Sequence, residues 1–191
     1  MNVYDKYPDK VQVDGKTYDL DLAWCNVLRA IDAEDDSELL AVDRLGLQCA
    51  LLLRRGHRDV PETPAARVAL LTAIFSLFKR DDEEKTTERY IDFHQDAALI
   101  RSAFFRMGVD LQTDRMHFCR FMELLADIPT DTALYRVMEI RQRPLPQPTK
   151  NNARQIAELQ KAKARVAIRY SEEDRRRMFA EGLKNITALR G

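Results

Sequence analysis

The apolar positions at the start of the chain alternate: Val11 and Val13 precede Asp14-Gly15, and Tyr18 and Leu20 follow it. A period of two around a turn pair that accepts positive φ predicts a two-stranded β-hairpin. A lone hairpin is marginal in water, so this one has to lie against the helices that follow. From Asp21 onward the apolar spacing changes to three and four. A helix over 21 to 32, capped by Asp21, would turn Leu22, Trp24, Cys25, Leu28 and Ile31 inward. A second, over 38 to 55, carries Leu40, Leu45, Leu47, Leu51 and Leu52, with Gly56 placed to end it. Thr63-Pro64 is an N-cap followed by proline at the first helical position. It opens a third helix to about 79 with Val68, Leu71, Phe75 and Phe78 on its face.

The run "KRDDEEKTTER" at 79–89 has no apolar residue and reads as a solvated loop between two halves of a helical body. Three further helices follow. One opens at Asp92 and carries Phe93, Ala97, Ile100, Phe104 and Met107, with Gly108 as its left-handed cap. The next covers 115 to 127 with Phe118, Phe121, Met122 and Leu125, and the last covers 131 to 141, capped by Thr130, with Leu134, Val137 and Met138. Prolines at 144, 146 and 148 then favour an extended, semi-rigid spacer. Beyond it, 152 to 168 and 172 to 189 read as helices, the second opened by Ser171 ahead of three acids. The expected fold is mainly α: a multi-helix globular domain with a small N-terminal β-hairpin and a C-terminal helical arm. The expected division is 1–143 for hairpin and body, 144–151 for a proline-rich linker and 152–191 for the arm.

Residues 92–96 pack Asp92, His94, Gln95 and Asp96 ahead of an apolar pattern, which raises the question of a site. As a helix start, Asp92 is the N-cap, Gln95 sits at N3 of a capping box, and Asp96 lies where the helix dipole favours a carboxylate. Every polar residue is then used without chemistry. Metal binding fares worse, because His94 stands two residues from each acid, whereas ligand pairs on a helix need a spacing of three or four. His117 and Cys119 have the same defect. No metal, cofactor, phosphate-loop or nucleophile-elbow motif is present, so the expectation is a protein that is not an enzyme and holds no cofactor.

Composition adds two points. Of the 191 residues, 45% are hydrophobic and 32% charged, and no apolar run approaches a bilayer span. With no apolar leader at the start, the expected compartment is the cytoplasm. The three cysteines, Cys25, Cys49 and Cys119, fall within helical apolar patterns and read as buried thiols. The zero net charge is unevenly spread: residues 150–191 carry a net +6 and the rest −6. Interspersed acids at 172–174 and 181 dilute the basic arm, which argues against nucleic acid and for a solvated or partner-binding helix.

Four segments in order carry a resemblance: "QDAALI" at 95–100, "GVDL" at 108–111, "MHFCRF" at 116–121 and "IPTDTALYRVMEIR" at 128–141. With the hairpin and "DLDLAWCNVLRAID" before them, they resemble the bacteriophage gene-product-fifteen family over about residues 10 to 170. Phe118 stands where the family usually has tryptophan, Met116 where it has leucine and Val109 where it has isoleucine, all apolar exchanges. The resemblance implies a tail-module protein of long-tailed phages or prophages, acting in the host bacterial cytoplasm. Proteins in that position act as tail assembly chaperones, which keep the tape measure protein soluble while the tail tube assembles. The expected partners are the tape measure protein, other tail proteins and neighbouring copies of the chain. The rival expectation is a structural virion component, such as a tail completion or connector subunit. The helices 95–107 and 116–125 are the nominated contact region, with Gln95, Asp96, Ile100, Phe104, His117 and Phe121 as candidate partner-binding residues.

Overall fold

The structure, a computed structural model, describes residues 4–78 and 90–170. The expectations for 79–89 and for a helix over 172 to 189 lie outside the described residues. The described part is mainly α, as expected: a two-stranded hairpin, β1 (Lys10–Val13) and β2 (Lys16–Asp19), and seven α-helices. The helices are α1 (Trp24–Glu34), α2 (Ala41–Leu52), α3 (Pro64–Ser76), α4 (Ala97–Arg106), α5 (Phe118–Ala126), α6 (Ala133–Gln142) and α7 (Ala153–Val166). The chain forms two compact units, residues 4–78 with 104–128 and residues 90–103 with 129–170. The first seven positions of α4, all of α6, the proline-rich residues 144–151 and all of α7 belong to the second.

In the first unit the hairpin forms as the alternation predicts. Asp14 and Gly15 both take positive φ, 49° and 77°, and Val11 pairs with Tyr18. That geometry matches the right-handed twist of the strands it joins. The chain then stays extended through residues 20–23, where the sequence pattern expected a helix capped by Asp21. The cap is Ala23, without a side-chain hydrogen bond. The physical reason is pairing on both sides. Asp21 N–H donates to Leu52 O (2.8 Å), while Trp24 N–H donates to Met116 O (3.0 Å) and Phe118 N–H to Leu22 O (2.8 Å). The first amide of α1 is thus satisfied by the loop ahead of α5 rather than by a cap.

Helix α1 packs on α2 and α5, and α2 packs on α3. Val27, Ala30 and Ala33 form the buried stripe of α1, Gln48, Cys49 and Leu52 that of α2, and Leu70, Leu71 and Ile74 that of α3. Several expected interior positions are instead exposed: Ile31, Leu40, Leu47, Val68 and Met122. Small residues let α1 approach its neighbours closely, so the buried stripe lies one residue round from the larger side chains. Thr63 caps α3 as expected, accepting from Ala66 N–H. Gly108, at φ 80°, ends α4, and Val109 N–H reaches back to Phe104 O at 3.0 Å.

The interior is aromatic. Phe121 stacks on Trp24, Phe104 and Phe118, with ring centroids 5.2, 5.0 and 6.2 Å away, and Phe78 meets Phe118 edge-on at 5.0 Å. Gln48, a buried amide, donates to Ala30 O (3.0 Å) and Glu34 Oε2 (2.8 Å), which ties α2 to the end of α1.

The second unit is built differently. Its cap on α6 is Thr132, not Thr130: Thr132 Oγ1 accepts from Tyr135 N–H (3.2 Å) and donates to Pro129 O (2.8 Å). Pro129 O accepts from both the hydroxyl and the N–H of Thr132, which closes a turn over 129–132, and the helix starts two residues later than expected. Helix α7 packs on α6 and has no fully buried residue.

Candidate functional site

The six nominated residues fall in both units. Gln95, Asp96 and Ile100 belong to the second, and Phe104, His117 and Phe121 to the first. Phe104 and Phe121 are among the most deeply buried side chains, and Ile100 is buried as well. Apolar side chains with no surface hold the interior together and offer a partner nothing in this fold.

His117 is the N-cap of α5, an uncommon residue for that position. Its Nδ1 accepts from Cys119 N–H at 3.1 Å, and its Nε2 meets Pro8 O at 3.0 Å. An acceptor at Nδ1 and a carbonyl at Nε2 assign the proton to Nε2. The ring also stacks on Tyr7, with centroids 4.9 Å apart. The Tyr7 hydroxyl donates to Glu123 Oε2 at 2.6 Å, and that hydrogen bond, more than burial, holds its pKa above the usual phenol value. His117 and Tyr7 therefore strap residues 7–8 onto α5. A cleft of about 240 Å³ beside this strap is lined by Pro8, Leu20, Asp21, Arg54, Arg115 and His117 among others. Two of its charged residues are paired: Arg115 bonds to Asp21, which raises the Arg115 pKa chiefly through that hydrogen bond.

The second group answers the question raised by residues 92–96. Asp92 Oδ1 accepts from His94 N–H (3.0 Å) and Gln95 N–H (2.7 Å), but α4 begins at Ala97 rather than at Asp92, so these bonds close the turn over 93–96 ahead of the helix instead of capping its first residue. The reciprocal bond of the capping box comes from Asp96 rather than Gln95: Asp96 Oδ2 accepts from Asp92 N–H at 3.0 Å. Asp96 is also locked to Arg141 in a two-pronged pair, Nη1 to Oδ2 at 2.5 Å and Nη2 to Oδ1 at 2.9 Å, with side chains 3% and 7% exposed. Arg141 then donates through Nε to Val166 O (2.6 Å) and through Nη1 to Tyr90 O (2.8 Å). A planar guanidinium with donors in a fixed fork can read a carboxylate and two carbonyls together.

Gln95, freed from the capping box, grips the main chain beyond α7. Its Nε2 donates to Ala167 O at 2.9 Å, and its Oε1 accepts from Arg169 N–H at 3.0 Å. Lys163 adds a bond from Nζ to Arg141 O at 2.8 Å. The arrangement is a socket for the end of α7. Arg141 caps the last carbonyl of that helix, and Gln95 pairs with the extended residues after it, much as a neighbouring strand would. Arg141 was the member that pattern reading passed over. Its signal was its place seven residues after Leu134, on the same helical face as a buried leucine.

Among the described residues no group of three or more His, Cys, Asp or Glu could hold a metal ion. All three cysteines are free thiols. Cys49 is buried, as expected, and burial pushes its pKa up to about 11; Cys25 and Cys119 are only partly buried. Burial also raises the Cys119 pKa. Among the described residues no helix is long and apolar enough to cross a membrane.

A mainly α body, an N-terminal hairpin and side chains spent on holding segments together define a helical protein whose polar clusters are structural. A family model described as Bacteriophage Gp15 protein matches residues 3–168. The chain belongs to that family. No curated protein and no solved structure matches it.

Proposed function

We propose that this protein is a tail assembly chaperone: it binds the tape measure protein in the host cytoplasm, keeps it soluble while the tail assembles, and performs no chemistry. The observation that carries this reading is membership of the phage family across residues 3–168. The residue roles support it, since Asp96 and Arg141 neutralise each other and His117 is engaged at both ring nitrogens. Contact with tape measure helices falls to exposed apolar side chains, of which, among the described residues, Leu40 and Phe105 are the most open large ones after Tyr4, at 70% and 72%. An amphipathic helix is recognised through such anchors.

The test is co-expression of the untagged chain with a tagged tape measure protein from the same genome. The expected result is a soluble tape measure protein that carries this chain through purification, weakened by Leu40→Ser or Phe105→Ser with the fold intact. An insoluble tape measure protein and no co-purification would overturn the reading. If the chain were instead found in purified tails, a structural virion component would replace it.

A further inference from the structure

The socket around Arg141 recognises α7 through features that any copy of the segment offers equally. Three of its bonds go to main-chain atoms, at Val166, Ala167 and Arg169, and all come from residues outside the segment they hold. The apolar stripe of α7 is thin: Ile156, Leu159 and Val166 are half-buried, and no residue of the helix is fully covered. The connection back to α6 is short and exposed. Asn152 fastens its far end, accepting from Thr149 N–H (2.7 Å) and donating to Gln147 O (2.9 Å). What remains between that clasp and the end of α6 is Arg143, Pro144, Leu145 and Pro146, all exposed. Two prolines in three residues restrict how tightly the chain can double back.

We propose that this socket is an exchange site between copies of the chain: Gln95, Asp96 and Arg141 of one copy receive α7 and residues 167–169 of a second. Closed and exchanged forms make the same contacts at the socket. The balance between them is set by the hinge and by concentration, the condition under which swapping is a low-cost route to a dimer. The inference is independent of the tape measure reading, because it concerns the purified chain alone.

The experiment uses two full-length variants, Ala98→Cys and Ala167→Cys, mixed at rising concentration and treated with a bis-maleimide, with peptide mapping to read the 98–167 bridge specifically; Ala98 is exposed one helical turn beyond Gln95 and leaves the socket residues intact. A chain carrying both substitutions shows that the reagent spans the gap. The expected result is a bridge between the two different chains, increasing with concentration and lost when Arg141→Ala is added to the Ala98→Cys chain. Sedimentation of the otherwise unaltered chain lacking Pro144, Leu145 and Pro146 should show a shift from monomer to dimer, because closure within one copy is then out of reach. A bridge that forms only within the doubly substituted chain, together with monomeric sedimentation of the shortened chain at every concentration, would overturn the proposal.

Discussion

The two units solve the same problem with different physics. The first fills its interior with aromatic rings around Phe121, and apart from the buried amide of Gln48 the polar contacts described above sit toward its surface, as at Tyr7 with Glu123. The second buries an ion pair, Asp96 with Arg141, and uses it to hold main-chain carbonyls. Apolar burial is non-directional and fails by degrees as atoms are removed. A buried ion pair is directional, and loss of one member strands a charge where water cannot reach it. On this physics the first unit is the one expected to tolerate apolar exchanges in its interior. The second depends on two residues 45 positions apart in the chain.

The sharpest test of this contrast is a double-mutant cycle. Asp96→Ala or Arg141→Ala alone should lower stability by about 3–5 kcal/mol in denaturant titration, because each leaves an uncompensated buried charge. Asp96→Ala combined with Arg141→Ala should cost clearly less than the sum of the two single changes, since no unpaired charge is left behind. If the combined cost equals the sum of the two, the pair is not coupled and the contrast fails.

In the aromatic interior, Phe121→Ala should cost about 3–5 kcal/mol and Phe121→Leu clearly less, a graded response with no counterpart at Asp96. Thermal or denaturant unfolding of the three proteins would check it. An equal loss for both substitutions would mean that Phe121 has a geometric role beyond filling space.

A smaller effect separates the two threonines ahead of α6. Thr132→Ala should cost about 1 kcal/mol through the lost cap, whereas Thr130→Ala should change stability by less than about 0.5 kcal/mol. The reverse order would place the cap at Thr130 after all.

The smallest effect concerns pH. The Cys49 thiol ionises near pH 9 in an unfolded chain and is raised to about 11 by burial in the fold. The unfolded state thus loses its proton first, so this contribution is complete below pH 9 and fades as pH rises from 9 toward 11. The difference in unfolding free energy between the native protein and Cys49→Ala, followed across that range, should shrink with pH. A constant difference would show that the thiol is not shielded.

Much of the fold was legible from local rules. The hairpin follows from Asp14-Gly15 between alternating residues, α3 from Thr63-Pro64, and the end of α4 from Gly108, because each depends on backbone preferences of a few adjacent residues. Helix faces were read less well. The interior stripe of α1 runs through Val27, Ala30 and Ala33 rather than Ile31, because close packing selects small side chains that hydrophobicity alone ranks low.

Sequence pattern was enough to establish that the fold is mainly α and which family the chain resembles, since both rest on order and spacing along the chain. It placed α1, α4 and α6 in the right segments but opened each of them two to five residues early. What it could not assign was the work of Gln95, Asp96, His117 and Arg141. Gln95, Asp96 and His117 were read from their sequence neighbours and Arg141 was passed over, and each makes a decisive bond with a segment tens of residues away. Tertiary folding decided those roles, because a hydrogen bond or ion pair depends on distance in space, and local periodicity carries no information about which distant backbone will arrive there.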